Sequence, residues 1–241
     1  MLEKIEKFQV LLLALVLAIG LVISTMIVTR NMSNDSIFVT GSYSQKVVSD
    51  SGTFDIYLHA RKANKVQSYA DLNRQIPIVT NYLKKQGFQA GDIEIKSPSG
   101  YNIYELTYNG LSTNNVIAYD ASRTIVVKSK DVKKIKSVAS QIDSLNAKNV
   151  DLNVNEPSYF YSKLSDLKIE MLEKATKNAQ QRAEAMLKAT NNKVGKIKSV
   201  NMGVFQITPV DSTDVSDSGI SDTTSIEKKV TSVANVTFRV R

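Results

Sequence analysis

The sequence predicts an α+β protein with largely antiparallel sheet hairpins and packed helices, preceded by one transmembrane helix. Three observations support this prediction. A long uncharged apolar run stands near the N-terminus. Several later segments alternate apolar and polar residues, as half-buried strands do, and others repeat apolar residues every three or four positions, as amphipathic helices do. Hairpins and helices interleave without a regular strand–helix–strand rhythm, which favours the α+β class.

The apolar run extends from Phe8 to Val28 and contains no charged residue. A helix of this length reaches roughly 30 Å, the thickness of the hydrocarbon core of a bilayer. We therefore predict a transmembrane anchor over residues 1–30. The alternative is a cleavable signal peptide, with Ala18-Ile19-Gly20 as its best cleavage motif, but the apolar run continues past it. The absence of cysteine excludes a lipoprotein.

The basic residues around the apolar run predict its orientation. Lys4 and Lys7 precede the run, and only Arg30 follows it closely. Under the positive-inside rule, the N-terminus should face the cytoplasm, and the main domain should be extracytoplasmic, either periplasmic or at the cell surface. The absence of cysteine is compatible with that location.

Residues 31–35 read as a polar linker, and residues 36–241 predict one extracytoplasmic domain. The whole chain carries a formal charge of +8, of which the part after residue 30 keeps +7. This excess is compatible with attraction to an anionic envelope polymer or to lipid head groups, but the scattered lysines are more typical of an ordinary soluble surface. No basic stripe interleaved with aromatic residues indicates nucleic-acid binding.

The domain begins with two predicted strands at 37–48 and 53–59. The turn residues Ser49-Asp50-Ser51-Gly52 separate them, so the two strands are interpreted as a hairpin. A helix follows from a cap at Asn64 to about residue 86. Pro77 predicts a kink in this helix, or its division into two shorter helices, because proline removes one backbone hydrogen bond.

A second, longer hairpin is predicted from residues 93–108 and 116–127, around a turn rich in Asn, Gly and Ser. Asp131 then caps a short helix that carries apolar residues as far as Ile142. A strand at 149–155 places Val150, Leu152 and Val154 on one face.

The longest predicted helix after the anchor spans about residues 163–190. Its apolar stripe includes three alanines, which allow close approach of a sheet or a second helix: Ala175, Ala179 and Ala183. A strand is predicted at 196–210, a flexible loop rich in Ser, Thr and Asp at about 211–226, and a closing strand with regular alternation at 230–240.

No residue of the sequence is assigned a catalytic, cofactor-binding or metal-binding role, so we predict no enzymatic activity and no cofactor. His59 is the only histidine, and no Gly-x-Ser-x-Gly nucleophile motif accompanies it. A hydrolase would require His59 or a pair of carboxylates in a cleft. Asp92 and Glu94, which alternate along a strand, are the carboxylates that come closest to this requirement.

Two further patterns favour ordinary explanations. The acids of the 211–226 loop miss the spacing of an EF-hand: Asp211, Asp214, Asp217 and Asp222. The tyrosines of the second hairpin would line a binding face, but packed aromatic cross-strand pairs explain them more simply: Tyr101, Tyr104 and Tyr108.

Several short motifs occur in an order that resembles the SIMPL-domain family. Val39-Thr40-Gly41-Ser42-Tyr43 resembles its opening V-x-G-x-G strand, with Tyr43 in place of the second glycine. Other matching positions are Asn73, Leu83 to Phe88, Asp92-Ile93, Lys96-Ser97, Tyr119, Ala121, Ala175, Ala179, Arg182, Ala183, Leu187 and Gly195. The resemblance covers about residues 36–241; Tyr43 and Pro77 depart from the family pattern.

The resemblance implies an α+β fold of hairpin–helix units and no established catalytic residues. Some members of the family form ring- or channel-shaped homo-oligomers, and others are linked to tolerance of oxidative or envelope stress. Our leading hypothesis is therefore a non-enzymatic, membrane-anchored envelope protein that self-assembles and whose main partner is itself. The alternative hypothesis is a binding module for an anionic envelope polymer or lipid head group.

Overall fold

The computed structural model describes residues 2–32 and 35–241, so residues 33 and 34 of the predicted linker lie outside the described part. It confirms the α+β class. The helices described are α1 (Leu2–Met32), α2 (Lys65–Lys85), α3 (Val132–Ala139) and α4 (Leu164–Lys188). The strands described are β1 (Ser36–Val48), β2 (Ser51–Lys62), β3 (Ile93–Ile95), β4 (Ser99–Leu106), β5 (Ser112–Ser129), β6 (Leu152–Val154), β7 (Ser158–Phe160), β8 (Val194–Met202), β9 (Gln206–Pro209), β10 (Ile220–Ser221) and β11 (Glu227–Val240).

The apolar N-terminal run is helical, as predicted, and forms most of α1. From residue 12 to residue 28 all of its side chains are exposed, and its large apolar side chains are each more than half exposed. Across the part of the chain that the structure describes, no helix combines the length and apolar content required to cross a membrane.

The strands form two largely antiparallel sheets. One has the order β3-β5-β2-β6, with β4 added to β5 and β7 added to β2. The other has the order β1-β11-β9-β10, with β8 added to β11. Among the described residues β1 therefore pairs with β11 rather than β2, and the predicted first hairpin is wrong. Alternation of apolar residues specifies the buried face of a strand, but it does not specify the partner strand.

Two compact units divide the chain, and the division falls inside β1, α4 and β11. The first comprises Met1–Ser42, Ala175–Met202 and Ala234–Arg241. The second comprises Tyr43–Lys174 and Gly203–Val233.

The core of the second unit lies between α2, α3 and the inner face of the six-stranded sheet. Every second residue of β2 is buried, as the sequence predicts: Phe54, Ile56, Leu58 and Ala60. The α2 stripe packs on this face with Leu72, Val79 and Leu83 fully buried. Helix α2 is continuous through Pro77, so the two-helix alternative is wrong.

In the first unit, the small residues of α4 pack closely on β1. A Cβ atom added to Gly41 would lie 2.3 Å from the carbonyl oxygen of Ala175 and 2.4 Å from the backbone nitrogen of Ala179. Helix α4 also binds the strand backbone, because Asn178 accepts from the Ser42 N–H at 3.1 Å and Arg182 donates to the Thr40 carbonyl at 3.0 Å. The predicted close approach at the alanine stripe is confirmed.

The C-terminal third differs in detail from its prediction. The strand predicted at 196–210 is two strands, β8 and β9, and the one predicted at 149–155 shortens to β6. The predicted 211–226 loop contains β10, which pairs parallel to β9. Asp222, at the end of this segment, lies 3.5 Å from Nζ of Lys228, and both side chains are buried. The closing strand β11 confirms its predicted alternation.

Candidate interaction surface

The single histidine lies on the outer face of β2, with 38% of its side chain exposed. Strand register sets Arg61 opposite Asp120 and His59 opposite Ser122. Asp120 accepts from Nε and Nη2 of Arg61 at 3.1 and 3.0 Å, whereas Nδ1 of His59 stands 3.7 Å away from it. The Ser122 hydroxyl shares a 2.9 Å hydrogen bond with Ser99. Asp120 is therefore bound to arginine, and it does not orient His59 as the acid of a catalytic triad would.

A polar cleft of about 500 Å³ opens beside His59, at the end of β2. Its charged residues are largely paired: Asp71 binds Arg74 at 2.8 Å and Lys62 at 3.3 Å. Burial raises the pKa of the Asp71 carboxyl, but hydrogen bonds and charge from Arg74 and Lys62 outweigh burial and hold the pKa below its ordinary value. The cleft thus contains a carboxylate held in its charged form, not the protonated acid that a hydrolase requires.

The other predicted carboxylate pair is also bound to structural partners. Asp92 accepts from the Gln89 backbone N–H at 2.8 Å and caps a short 3₁₀ turn. Glu94 is exposed and paired with Lys96 and Lys128. Hydrogen bonds from these lysines hold the pKa of Glu94 below its ordinary value. Over the described residues, no group of three or more His, Cys, Asp or Glu side chains is arranged to hold a metal ion.

The second hairpin extends well beyond the sheet that carries it. The last residue pair between β2 and β5 is Lys62 with Tyr119, whereas β4 continues to pair with β5 as far as Leu106 and Ser112. Residues 103–118 therefore form a two-stranded ribbon beyond β2, and the whole segment 99–118, whose first four residues still pair within the sheet, is called the arm below. Across the described residues, neither β4 nor residues 112–118 of β5 has a strand on its outer edge.

One face of the arm continues the buried face of the sheet without its helix cover. Tyr119 is buried near α2, and Asn102 lies directly opposite it. Tyr104 and Leu106 follow Asn102 at intervals of two along β4, and Val116 lies opposite Tyr104; the register between β4 and β5 shifts on both sides of Tyr104. The exposed fractions of Tyr104, Leu106 and Val116 are 40%, 64% and 43%. The arm thus presents apolar side chains where the body of the sheet has a helix.

The predicted packing of the arm tyrosines in aromatic pairs is wrong. Tyr101 and Tyr108 are 62% and 105% exposed, and no ring contact among the described residues includes either of them or Tyr104. The arm is also nearly uncharged, since Glu105 is its one charged residue in a chain that holds 31 Lys and Arg. This lack of charge is visible in the sequence, but it matches no catalytic or metal-binding motif.

A family model described as "SIMPL: Protein of unknown function (DUF541)" matches residues 37–239. This match spans nearly the whole chain after α1, including the arm and both sheets. No curated protein matches the sequence.

Proposed function

Because this chain belongs to the SIMPL family, whose domains generally lie outside the cytoplasm, we propose that it is a membrane-tethered extracytoplasmic protein that self-assembles through its arm. The observation that carries the proposal is the uncharged arm, with open edges and exposed apolar side chains on a strongly basic protein. An isolated two-stranded ribbon is at best marginally stable in water, so a ribbon of this kind gains stability from a partner.

A second copy of the chain is the partner that the charges favour. Two surfaces rich in lysine repel each other, and the arm contains no Lys or Arg. Eight residues of β4 extend about 26 Å at strand rise. Two such arms related by a two-fold axis would pack their apolar side chains against each other and cover Tyr104, Leu106 and Val116 with the same residues of the other copy.

The tether in this proposal is α1. Its residues 12–28 form 17 consecutive uncharged positions with exposed apolar side chains, which water solvates poorly. We place the N-terminus on the cytoplasmic side, in keeping with Lys4 and Lys7 before the apolar run and Arg30 after it. The variant Leu17→Lys/Leu21→Lys should be released from membranes by alkaline carbonate, because each lysine raises the free energy of membrane insertion by about 3 kcal/mol. Retention of this variant on the membrane would contradict the tether.

The proposed role involves no catalysis. Arg61 donates hydrogen bonds to Asp120, the carboxylate nearest His59. Asp92 accepts from a backbone N–H, and Glu94 pairs with lysines. These contacts support a binding or scaffolding role over a hydrolytic one. The link to oxidative or envelope stress, which the family resemblance implies, stays a prediction.

Self-assembly is tested by measuring the mass of the full chain in neutral detergent over a wide concentration range. We expect an oligomer, and we expect the variant Leu106→Lys/Val116→Lys to raise its dissociation constant at least tenfold by placing charges inside the interface. The matched control, Val66→Lys/Ile169→Lys, replaces apolar residues that are 78% and 70% exposed elsewhere and should leave the mass unchanged.

Two results would refute this function. If the unmodified chain is a monomer at every concentration, the proposal of self-assembly is refuted. An oligomer that is equally stable in the arm variant and in the control would remove the arm as its interface. Unfolding midpoints of both variants distinguish loss of assembly from loss of fold.

A further inference from the structure

Six lysines gather at one end of the second unit, on two segments that are distant in sequence. They are called the lysine surface below: Lys84 and Lys85 at the end of α2, Lys128 and Lys130 at the end of β5, and Lys133 and Lys134 in the first turn of α3. Nζ of Lys134 connects the segments, since it donates to the Gly87 carbonyl at 3.1 Å and lies 4.9 Å from the centre of the Phe88 ring. The cluster is a product of the fold, because residues 84–88 and 128–134 meet only there.

The carboxylates near this surface are already bound to structural partners. Asp92 caps its short 3₁₀ turn, Asp131 accepts from the Lys134 backbone N–H at 2.9 Å, and Glu94 pairs with Lys128 and Lys96. Within the described part of the chain, Lys84, Lys85, Lys130 and Lys133 have no carboxylate partner. Their side chains are exposed, so the surface carries uncompensated positive charge.

A cavity of about 330 Å³ lies at the edge of the lysine surface. Lys128 and Lys130 line it together with Thr53, Asp92 and Phe160. Oγ1 of Thr53 is buried and has no hydrogen-bond partner among the described residues. The Thr53 hydroxyl is covered by protein, so it can donate to an anionic oxygen in the cavity only after the cavity wall shifts. The cavity is at the lower end of the volumes typical of small-ligand sites.

We propose that the lysine surface binds a linear polyanion that carries phosphate groups along its length, with one phosphate entering the cavity beside Thr53. Several lysines would then contact successive phosphates, and each contact releases counterions from the polymer. This inference is independent of self-assembly, since it involves no residue of the arm.

The composition of the surface favours a soluble polymer over a membrane. Proteins that lie on a bilayer insert apolar side chains beside their basic residues. No large exposed apolar side chain occurs among residues 84–92 or 128–136. The surface can therefore attract charge, and the exposed ring of Phe160 at the adjoining cavity is not part of a row of apolar side chains that would enter lipid.

The test measures the affinity of the full chain in neutral detergent for end-labelled inorganic polyphosphate, by fluorescence anisotropy at several salt concentrations. We expect binding that weakens steeply with salt. The variant K84Q/K85Q/K130Q/K133Q should lose at least tenfold in affinity, and the slope of log affinity against log salt should become shallower by about 3.

The matched control is K163Q/K177Q/K193Q/K196Q, which removes the same charge from exposed positions elsewhere. It should stay within about threefold of the unmodified chain, because screening limits distant charges. If the two variants lose affinity for polyphosphate equally, the binding depends on net charge alone and the proposed site is refuted. Absence of binding at low salt, or binding to anionic lipid micelles without binding to polyphosphate, would also overturn it.

Discussion

Replacement of Gly41, the one glycine of β1, by alanine should strongly destabilise the first unit. The new Cβ would lie 2.3 Å from the Ala175 carbonyl oxygen, 2.4 Å from the Ala179 nitrogen and 2.8 Å from the Ala179 Cα. Ordinary contacts of such atoms are longer than about 3.2 Å, so α4 and β1 must separate by roughly 1 Å.

The strain cannot be relieved locally, because all three contacted atoms belong to the helix backbone. No rotamer change and no truncation of Ala175 or Ala179 removes them. Separation of the two elements would also lengthen the hydrogen bonds that Asn178 and Arg182 make to β1. Overpacking of this kind costs about 1–3 kcal/mol, and weakened hydrogen bonds add to that.

The assay is denaturant and thermal unfolding of the full chain in neutral detergent. We expect Gly41→Ala to lower the free energy of unfolding by at least about 2 kcal/mol, or the midpoint temperature by about 4–8 °C in a chain of this size. The matched control is Gly91→Ala, since nothing lies within 4 Å of its added Cβ. The control should be neutral or slightly stabilising. A Gly41→Ala variant as stable as the control would refute the close approach of β1 and α4.

Three further predictions concern buried polar contacts in the second unit. Gln75 donates to the His59 carbonyl at 2.9 Å and accepts from the Asp151 backbone N–H at 2.9 Å. Gln75→Leu should therefore lower the free energy of unfolding by about 2–4 kcal/mol, measured by denaturant unfolding. An unchanged unfolding midpoint would contradict this prediction. Lys228→Met should cost about 3 kcal/mol, because the buried Asp222 carboxylate keeps its hydrogen bonds from Thr224 and Ser225 but loses its cation. The double variant with Asp222→Asn should recover part of the loss, and equal stabilities would argue against the pair. Burial raises the pKa of Asp222, but hydrogen bonds from its neighbours and the Lys228 charge hold it below the unfolded value of 3.8. The carboxylate therefore contributes stability above about pH 4, which should be lost as the pH falls below 3.8, and the urea midpoint of Asp222→Asn should fall less over that range.

The elements whose nature depends on local pattern could be predicted from the sequence. The alternation in 53–59 and 230–240 predicts β2 and β11 with their correct buried faces, because side chains on a strand repeat every two residues. The alanine stripe of α4 predicts close packing for a similar reason, since small side chains at helical spacing permit close approach. Such features need only neighbours within one segment.

The second hairpin is predicted correctly, since β4 pairs with β5, but the partners of β1 and β2 could not be predicted in the same way. The turn residues between β1 and β2 indicate a reversal, yet β1 pairs with β11, nearly 190 residues away, and β2 pairs with β5. A turn motif specifies a change of direction, whereas the pairing depends on the packing of whole sheets. The 211–226 segment shows the same limit, because its polar composition does not reveal the buried contact of Asp222 with Lys228.

The sequence by itself determined the helix and strand content, the uncharged apolar run before the domain and the scarcity of residues suited to catalysis, because each depends on composition or on a short repeat. Only the tertiary structure decided that residues 103–118 project beyond the sheet, that Asp120 binds Arg61, and that lysines from α2, β5 and α3 meet on one surface. These are contacts between residues distant in the chain. The physical reason is that such contacts follow from the register and packing of complete elements, which no local pattern encodes.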